Sequence, residues 1–270
     1  GVGPLSEKPL RGVCVVSDGI RGHLFQSRGV AGWLVRDFGM EEHEVEIPRL
    51  RGWRRGMFLK VWAVALRWRK AAVAARWLAG AGGTPLQRSV EAWAQERHIP
   101  LSKLLFLSAG SAAAPFALAL ARCTGARCAT LMTPSVLGTG PFDAAVVPRH
   151  DAPAPSPRTF ITLGAPNAIV TQNLAASGEE LLRRFPSPVA EGPSEVRERW
   201  ALLLGGDDGN YRIPPLWVSQ CVGAALSAAA ERGAELYITT SRRTSAEAEE
   251  ALLRSVGHSP VVRMCLLASR

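Results

Sequence analysis

The sequence predicts an α/β protein built of two Rossmann-like domains with mainly parallel sheets, and three observations lead there. Short apolar runs alternate with helix-compatible stretches, the order of a parallel sheet with crossover helices. The alternation pauses at "RRFPSPVAEGPSEVRER" (183–199) and then restarts, which sets an N-terminal domain at residues 1–190 and a C-terminal domain at 191–270. The 270 residues, 47% hydrophobic and 20% charged, supply enough apolar side chains for one large or two medium cores.

The elements follow in order. "GVCVVSD" reads as a buried strand, "HLFQSRGVAGWLVRDF" as a helix, and "HEVEI" as a strand ending at Pro48. After a basic segment, Thr84 is expected to cap a helix with Pro85 in its first turn, running through Trp93 and ending near Pro100. "KLLFLSAG" is a strand and turn, "SAAAPFALALAR" a helix, and "RCATLM", "FDAAVVP" and "TFITLGAP" are strands; "DAPAPSPR" between the last two is a surface loop. In the second domain come the strand "WALLLGG", a helix from about Ile213 to Arg232 and the strand "AELYITTS". A helix opened by Thr244, with Glu247 at capping-box spacing, and the strand "PVVRMCLL" complete it.

Charge and cysteine usage narrow the function classes. Five cysteines form an odd set with no C-x-x-C pair and no histidine at zinc-ligand spacing, so reduced thiols in the cytoplasm are expected, and no metal or cofactor. No signal-peptide pattern opens the chain, and its start at Gly1 is expected to mark a processed or expression-derived end. The net charge of +9 matches the nine cations of residues 49–76, a segment without acidic residues and interleaved with Trp53, Phe58, Trp62, Trp68 and Trp77. Its longest apolar stretch, "MFLKVWAVAL", falls short of the roughly 20 residues that span a bilayer. On a helical wheel Lys60 and Arg67 oppose Arg69 and Arg76, so two readings stand: a peripheral contact with an anionic membrane surface, or a solvated basic helix with core tryptophans. No nucleic-acid-binding motif accompanies the charge, and no nucleic-acid partner is expected.

Open α/β sheets bind ligands beyond the carboxyl ends of their strands, and those loops hold most of the reactive side chains. "SDGIRGH" carries Asp18, Arg21, Gly22 and His23, where His23 could act as general base oriented by Asp18. His150 and Asp151 form a second acid/base pair, and Asn167 lies in "LGAPN". "LLLGGDDGNYRI" raises a question of its own. Gly205, Gly206, Gly209 and Asn210 could serve a sharp turn needing positive φ, or could let peptide N–H groups close on a phosphate. Ser241, Arg242 and Arg243 leave another strand end, and arginine forks suit phosphate oxygens. No G-x-S-x-G elbow, Walker sequence or strand-first G-x-G-x-x-G is present, which removes the main support for hydrolase, P-loop and simple dehydrogenase readings.

Together "VSDGIRGHLFQSRGVA", "FDAAVVPRHD", "TLGAPN", "LLLGGDDGNYRI" and "ITTSRRT" resemble, in order over about residues 11 to 245, the mitochondrial fission Elm (elongated mitochondria) family and its bacterial relatives. The resemblance implies a GT-B glycosyltransferase-like fold, two Rossmann-like domains facing a cleft. It places Gly22 and His23 where sugar transferases of peptidoglycan and lipid A carry their N-terminal glycine loop. It places Gly205 to Asn210 and Ser241 to Arg243 on the donor side, implying transfer from a nucleotide-sugar to a membrane-associated acceptor. Plant members of the family are known for recruiting a dynamin-related GTPase, which implies the alternative of a non-catalytic adaptor. The family pattern continues after "TTSRRTSAEAEEALL" with a segment like "TGDSVSMISEA", whereas this chain ends "VVRMCLLASR", so a truncated C-terminal domain with an exposed sheet edge is expected.

Overall fold

Strand β1 (Gly12–Ser17) is buried along its length, and its alternating side chains serve two layers. Val13 and Val15 pack with Ala31, Leu107, Ala109 and Leu131, whereas Cys14 and Val16 pack with Phe106, Phe116 and Trp77. Continuous apolar runs of this kind belong to a parallel sheet covered on both faces. The computed structural model describes residues 9–187 and 198–269. In it the first sheet has six strands in the order β2-β1-β3-β4-β5-β6, with β2 Glu41–Glu46, β3 Leu104–Ala109, β4 Arg127–Leu131, β5 Ala144–Pro148 and β6 Thr159–Thr162. Every pairing is parallel.

Helix α1 (Arg21–Phe38) covers one face and ends at Gly39, whose left-handed φ of 64° lets its N–H reach back to the last helical carbonyls. The opposite face carries α3 (Ala71–Gly80), α4 (Thr84–Glu96) and α5 (Ala113–Thr124). The residue preceding α4 in the capping position is Gly83, not Thr84 as predicted, and no side chain caps the helix. Pro85 does lie in its first turn. The basic segment is not one helix: α2 (Gly52–Gly56) passes into a π turn (Met57–Val61) and a 3₁₀ turn (Trp62–Arg67) before the break ahead of α3. The helical wheel that opposes Lys60 and Arg67 to Arg69 and Arg76 therefore does not apply, because these residues do not lie on one continuous α-helix.

The chain divides into two compact units, Gly1–Val170 and Thr171–Arg270. The boundary predicted at 190/191 lies outside the described residues, and the division falls earlier, ahead of α6 (Thr171–Arg184). The second unit has its own parallel sheet, β7 (Arg199–Leu203), β8 (Glu235–Thr239) and β9 (Val262–Leu266), in that order. Helices α7 (Pro215–Arg232) and α8 (Ala246–Val256) contribute Val218, Val222, Ala248 and Leu252 to a core shared with Leu204, Leu236 and Ile238. At the start of these strands Glu235, 2% exposed, accepts from Arg263 Nε at 3.1 Å and lies 3.8 Å from Arg199 Nε, so one carboxylate ties all three strands. Burial alone would raise its pKa, but Ser187 and the two guanidiniums hold it below the ordinary glutamate range.

Candidate functional site

The first sheet reverses direction of assembly between β1 and β3: β2 is added on one side of β1, and β3, β4, β5 and β6 on the other. A crevice at the carboxyl ends of the strands flanking such a point is where open α/β sheets hold ligands. Asp18 follows the last residue of β1, and its carboxylate is engaged at both oxygens. Oδ1 accepts the Ile20 N–H at 3.0 Å, and Oδ2 meets His23 Nδ1 at 2.7 Å. Gly19, at φ 76°, makes the turn that folds these groups together, and its N–H donates to Ser17 Oγ. The Asp18 side chain is 4% exposed and that of His23 37%, so the imidazole stands between carboxylate and solvent.

The electrostatics of the pair follow from this geometry. Burial pushes the Asp18 carboxyl up, but the hydrogen bonds from His23 and Ile20 outweigh it and hold the acid below the ordinary aspartate value. The Asp18 hydrogen bond raises His23 above the ordinary histidine value of 6.5, against a smaller opposing effect of burial. An ionised carboxylate only accepts, so neutral His23 carries its proton on Nδ1 and presents Nε2 as the basic nitrogen.

Gly110, directly after β3, completes the arrangement. Its φ is 93°, and a Cβ there would lie 2.5 Å from His23 Nδ1 and 3.0 Å from Asp18 Oδ2. The β3 loop thus closes on the pair so tightly that only a hydrogen fits. Gly22, by contrast, has no neighbour within 4 Å of the place a Cβ would take, so no close approach requires a glycine there. Arg21 and Gly22 are exposed on the first turn of α1.

The other predicted residues of this unit lie elsewhere. His150 and Asp151 follow β5, three strand positions from β1, or roughly 14 Å at the usual strand spacing. His150 Nε2 is 3.6 Å from Asp151 Oδ1, beyond hydrogen-bond length, and the imidazole is 64% exposed. Asn167 Oδ1 accepts from the Ile169 N–H, and the Asn167 carbonyl lies against Gly29, where a Cβ would be 2.0 Å from its oxygen.

In the second unit the glycine-rich loop after β7 meets the turn after β8. Gly206 is required by close approach: a Cβ would sit 2.0 Å from the carbonyl carbon of Arg243. Among the described residues, Gly205, Gly206, Gly209 and Asn210 are absent from the positive-φ positions, which corrects the expectation of a left-handed turn. The loop's main chain bonds largely to itself. The Asp207 N–H donates to Arg243 O at 3.0 Å and the Asp208 N–H to Tyr211 O at 2.9 Å. Asp208 Oδ1 accepts from Asn210 and Tyr211, both at 2.7 Å, and Asp207 Oδ1 accepts from Ile213 at 2.8 Å. Those backbone bonds draw the exposed Asp208 carboxyl below its ordinary pKa, with Arg243 adding a smaller effect. The expected set of amides facing a diphosphate is therefore curtailed, because five amides already have partners: those of Asp207 and Asp208 donate to main-chain carbonyls, and those of Asn210, Tyr211 and Ile213 donate to the carboxylates of the loop.

Thr244 knots the two loops. Its hydroxyl donates to Gly205 O at 2.8 Å and accepts from the Ser241 N–H at 2.9 Å. It is consequently not the cap of α8; Ser245 is, accepting from the Ala248 N–H, and Glu247 closes no capping box with Thr244. Arg242 and Arg243 stand exposed on the intervening turn.

With this geometry in place, the sequence profile described as mitochondrial fission ELM1 matches residues 21–268. The chain belongs to the mitochondrial fission ELM1 family. The match spans both units and runs past residue 245, where the resemblance read from the sequence stops. A search of curated proteins gave no match. Among solved structures, an S. aureus MnaA–UDP co-structure is similar at a TM-score of 0.46 and 10% identity, over 96% of this chain and 69% of that one. A candidate UDP-N-acetylglucosamine 2-epimerase from Listeria monocytogenes is similar at 0.41 and 9%, over 94% and 68%. Neither likeness is close enough to assign a fold or a ligand to this ELM1 family member.

Sequence reasoning missed Gly110 and Thr244, the two residues that lock the candidate loops. For Gly110 a signal existed, a glycine between a strand and a helix at the ligand-binding edge in "LSAGS". For Thr244 the capping-box spacing pointed to another role.

Proposed function

We propose that this family member is a sugar transferase in which His23 is the general base. The observation that carries the reading is the 2.7 Å bond between His23 Nδ1 and Asp18 Oδ2 at the carboxyl ends of β1 and β3. His23 Nε2 takes the proton of an acceptor hydroxyl as its oxygen bonds to the anomeric carbon of a nucleotide-sugar. The bond from that carbon to the diphosphate breaks, and the nucleoside diphosphate leaves with the electron pair. Asp18 holds the ring in the productive tautomer and stabilises the imidazolium formed. In the C-terminal unit the exposed guanidiniums of Arg242 and Arg243, beside Ser241, are assigned to the departing diphosphate's charge, without a metal ion. The membrane-associated acceptor implied by the family resemblance remains part of this proposal.

One observation favours a second reading, a non-catalytic adaptor for a dynamin-like GTPase. Five amides of the glycine-rich loop and its flank already donate to protein oxygens, and Gly206 is required by the close approach of Arg243, so these features are accounted for without a ligand. Calorimetric titration with uridine, guanosine and cytidine diphosphate sugars, followed by transfer assays with His23→Ala, separates the two. A transferase binds one donor class and loses about 100-fold or more in rate in the variant. An adaptor shows no donor heat and keeps its recruiting activity.

A further inference from the structure

Between the end of β2 and α3, the basic segment presents a surface of unusual composition. Its nine cations are all exposed. Its aromatic residues divide into two groups. Phe58 and Trp77 are buried and anchor the segment, with Trp77 Nε1 donating to Phe58 O at 3.2 Å. Trp53, Trp62 and Trp68 are 71%, 43% and 63% exposed, and Val61 and Val64 beside them are 55% and 41% exposed. Among the described residues, the ion pair within this surface is Arg69 with Asp143, at a loose 3.9 Å. Between the 3₁₀ turn and α3 opens an apolar groove of about 520 Å³, floored by Phe58, Ala65, Val73 and Trp77 with Arg76 at its edge.

We propose that this face seats on an anionic lipid bilayer, a property separate from sugar transfer. The exposed indoles would lie at the boundary between headgroups and acyl chains, and the cations would meet lipid phosphates with their aliphatic stems along the apolar surface. Charge complementarity selects the occupant: a segment with nine exposed cations and no acidic residue suits an extended anionic surface. The aliphatic exposure at Val61 and Val64, together with the apolar groove, favours lipid over nucleic acid, whose phosphates and bases call for cations and rings but not for aliphatic side chains.

Co-sedimentation of the full chain with vesicles tests the proposal. Binding is expected to vesicles of phosphatidylcholine with phosphatidylglycerol, not to phosphatidylcholine alone, and to be released at about 1 M salt. Substituting Arg51→Gln, Arg55→Gln and Lys60→Gln should lower partitioning by about 5-fold per cation. Trp53→Ser with Trp68→Ser should weaken binding further. Circular-dichroism melts of each variant distinguish a lost contact from a lost fold. Independently of any variant, brominated lipid in the anionic vesicles should quench tryptophan fluorescence of the unmodified protein. Equal binding to neutral vesicles, full binding by a folded triple variant, absence of quenching, or retention of RNA in preference to anionic vesicles would each overturn it.

Discussion

Asp18 and His23 are five positions apart, and each alters the other's proton affinity in a direction that can be measured. Under the transferase reading the rate rises with pH as His23 loses its proton, through a midpoint above 6.5 because Asp18 stabilises the cation. Asp18→Asn should move that limb to lower pH and reduce the plateau, which a pH–rate profile reads directly. The same pair links stability to pH. His23's raised value means that its contribution is complete below 6.5 and is lost as pH rises through the raised value. Denaturant midpoints measured on both sides of that window should show the loss, and Asp18→Asn should abolish it. Gly110→Ala is expected to cost about 1–3 kcal/mol from backbone strain alone. Its Cβ must also displace the imidazole, so the His23 ring resonances should shift in the folded variant. Among the thiols, burial pushes Cys14 up to about 12, and Cys128 is also raised well above the ordinary value, so both should resist alkylation at neutral pH in the native protein.

Elements were largely legible in the sequence because their ends carry chemistry that acts locally. "GVCVVSD" ends at a glycine turn, "HEVEI" at Pro48, and α1 and α7 end at Gly39 and Gly233, both left-handed. Helix α6 was missed because "TQNLAASGEELLRR" has few large apolar residues, among them Leu174 and Leu181, both exposed, so it lacks the apolar run by which the other elements were read. The caps at Thr84 and Thr244 slipped by one residue for a different reason. A hydroxyl can serve several partners, and at Thr244 the carbonyl of Gly205, remote in sequence, takes part of it. The pairing of Gly206 with Arg243 is likewise tertiary, so the sequence shows the glycine and not its cause. Ser245→Ala should cost about 1 kcal/mol as a lost cap. Thr244→Val should cost more than a cap does, since it unties Ser241 from Gly205; comparing the two midpoints in urea checks the order.

At the scale of the molecule, the two units have separate sheets and separate buried clusters. A unit with its own core unfolds as its own cooperative body. Scanning calorimetry is therefore expected to resolve two transitions, with Gly206→Ala lowering one and Gly110→Ala the other. A single transition moved equally by both would contradict the division. Among the described residues no helix is long and apolar enough to cross a membrane.

The crossing of Gly29 by residues 167 and 168 has a consequence for how substitutions will be tolerated. The atoms that touch Gly29 are the carbonyl of Asn167 and the amide nitrogen of Ala168, main-chain atoms that every residue possesses alike. Saturation mutagenesis should accordingly give a lopsided result: position 29 refuses replacement, while position 167 accepts many and forfeits only the small turn its amide makes with Ile169.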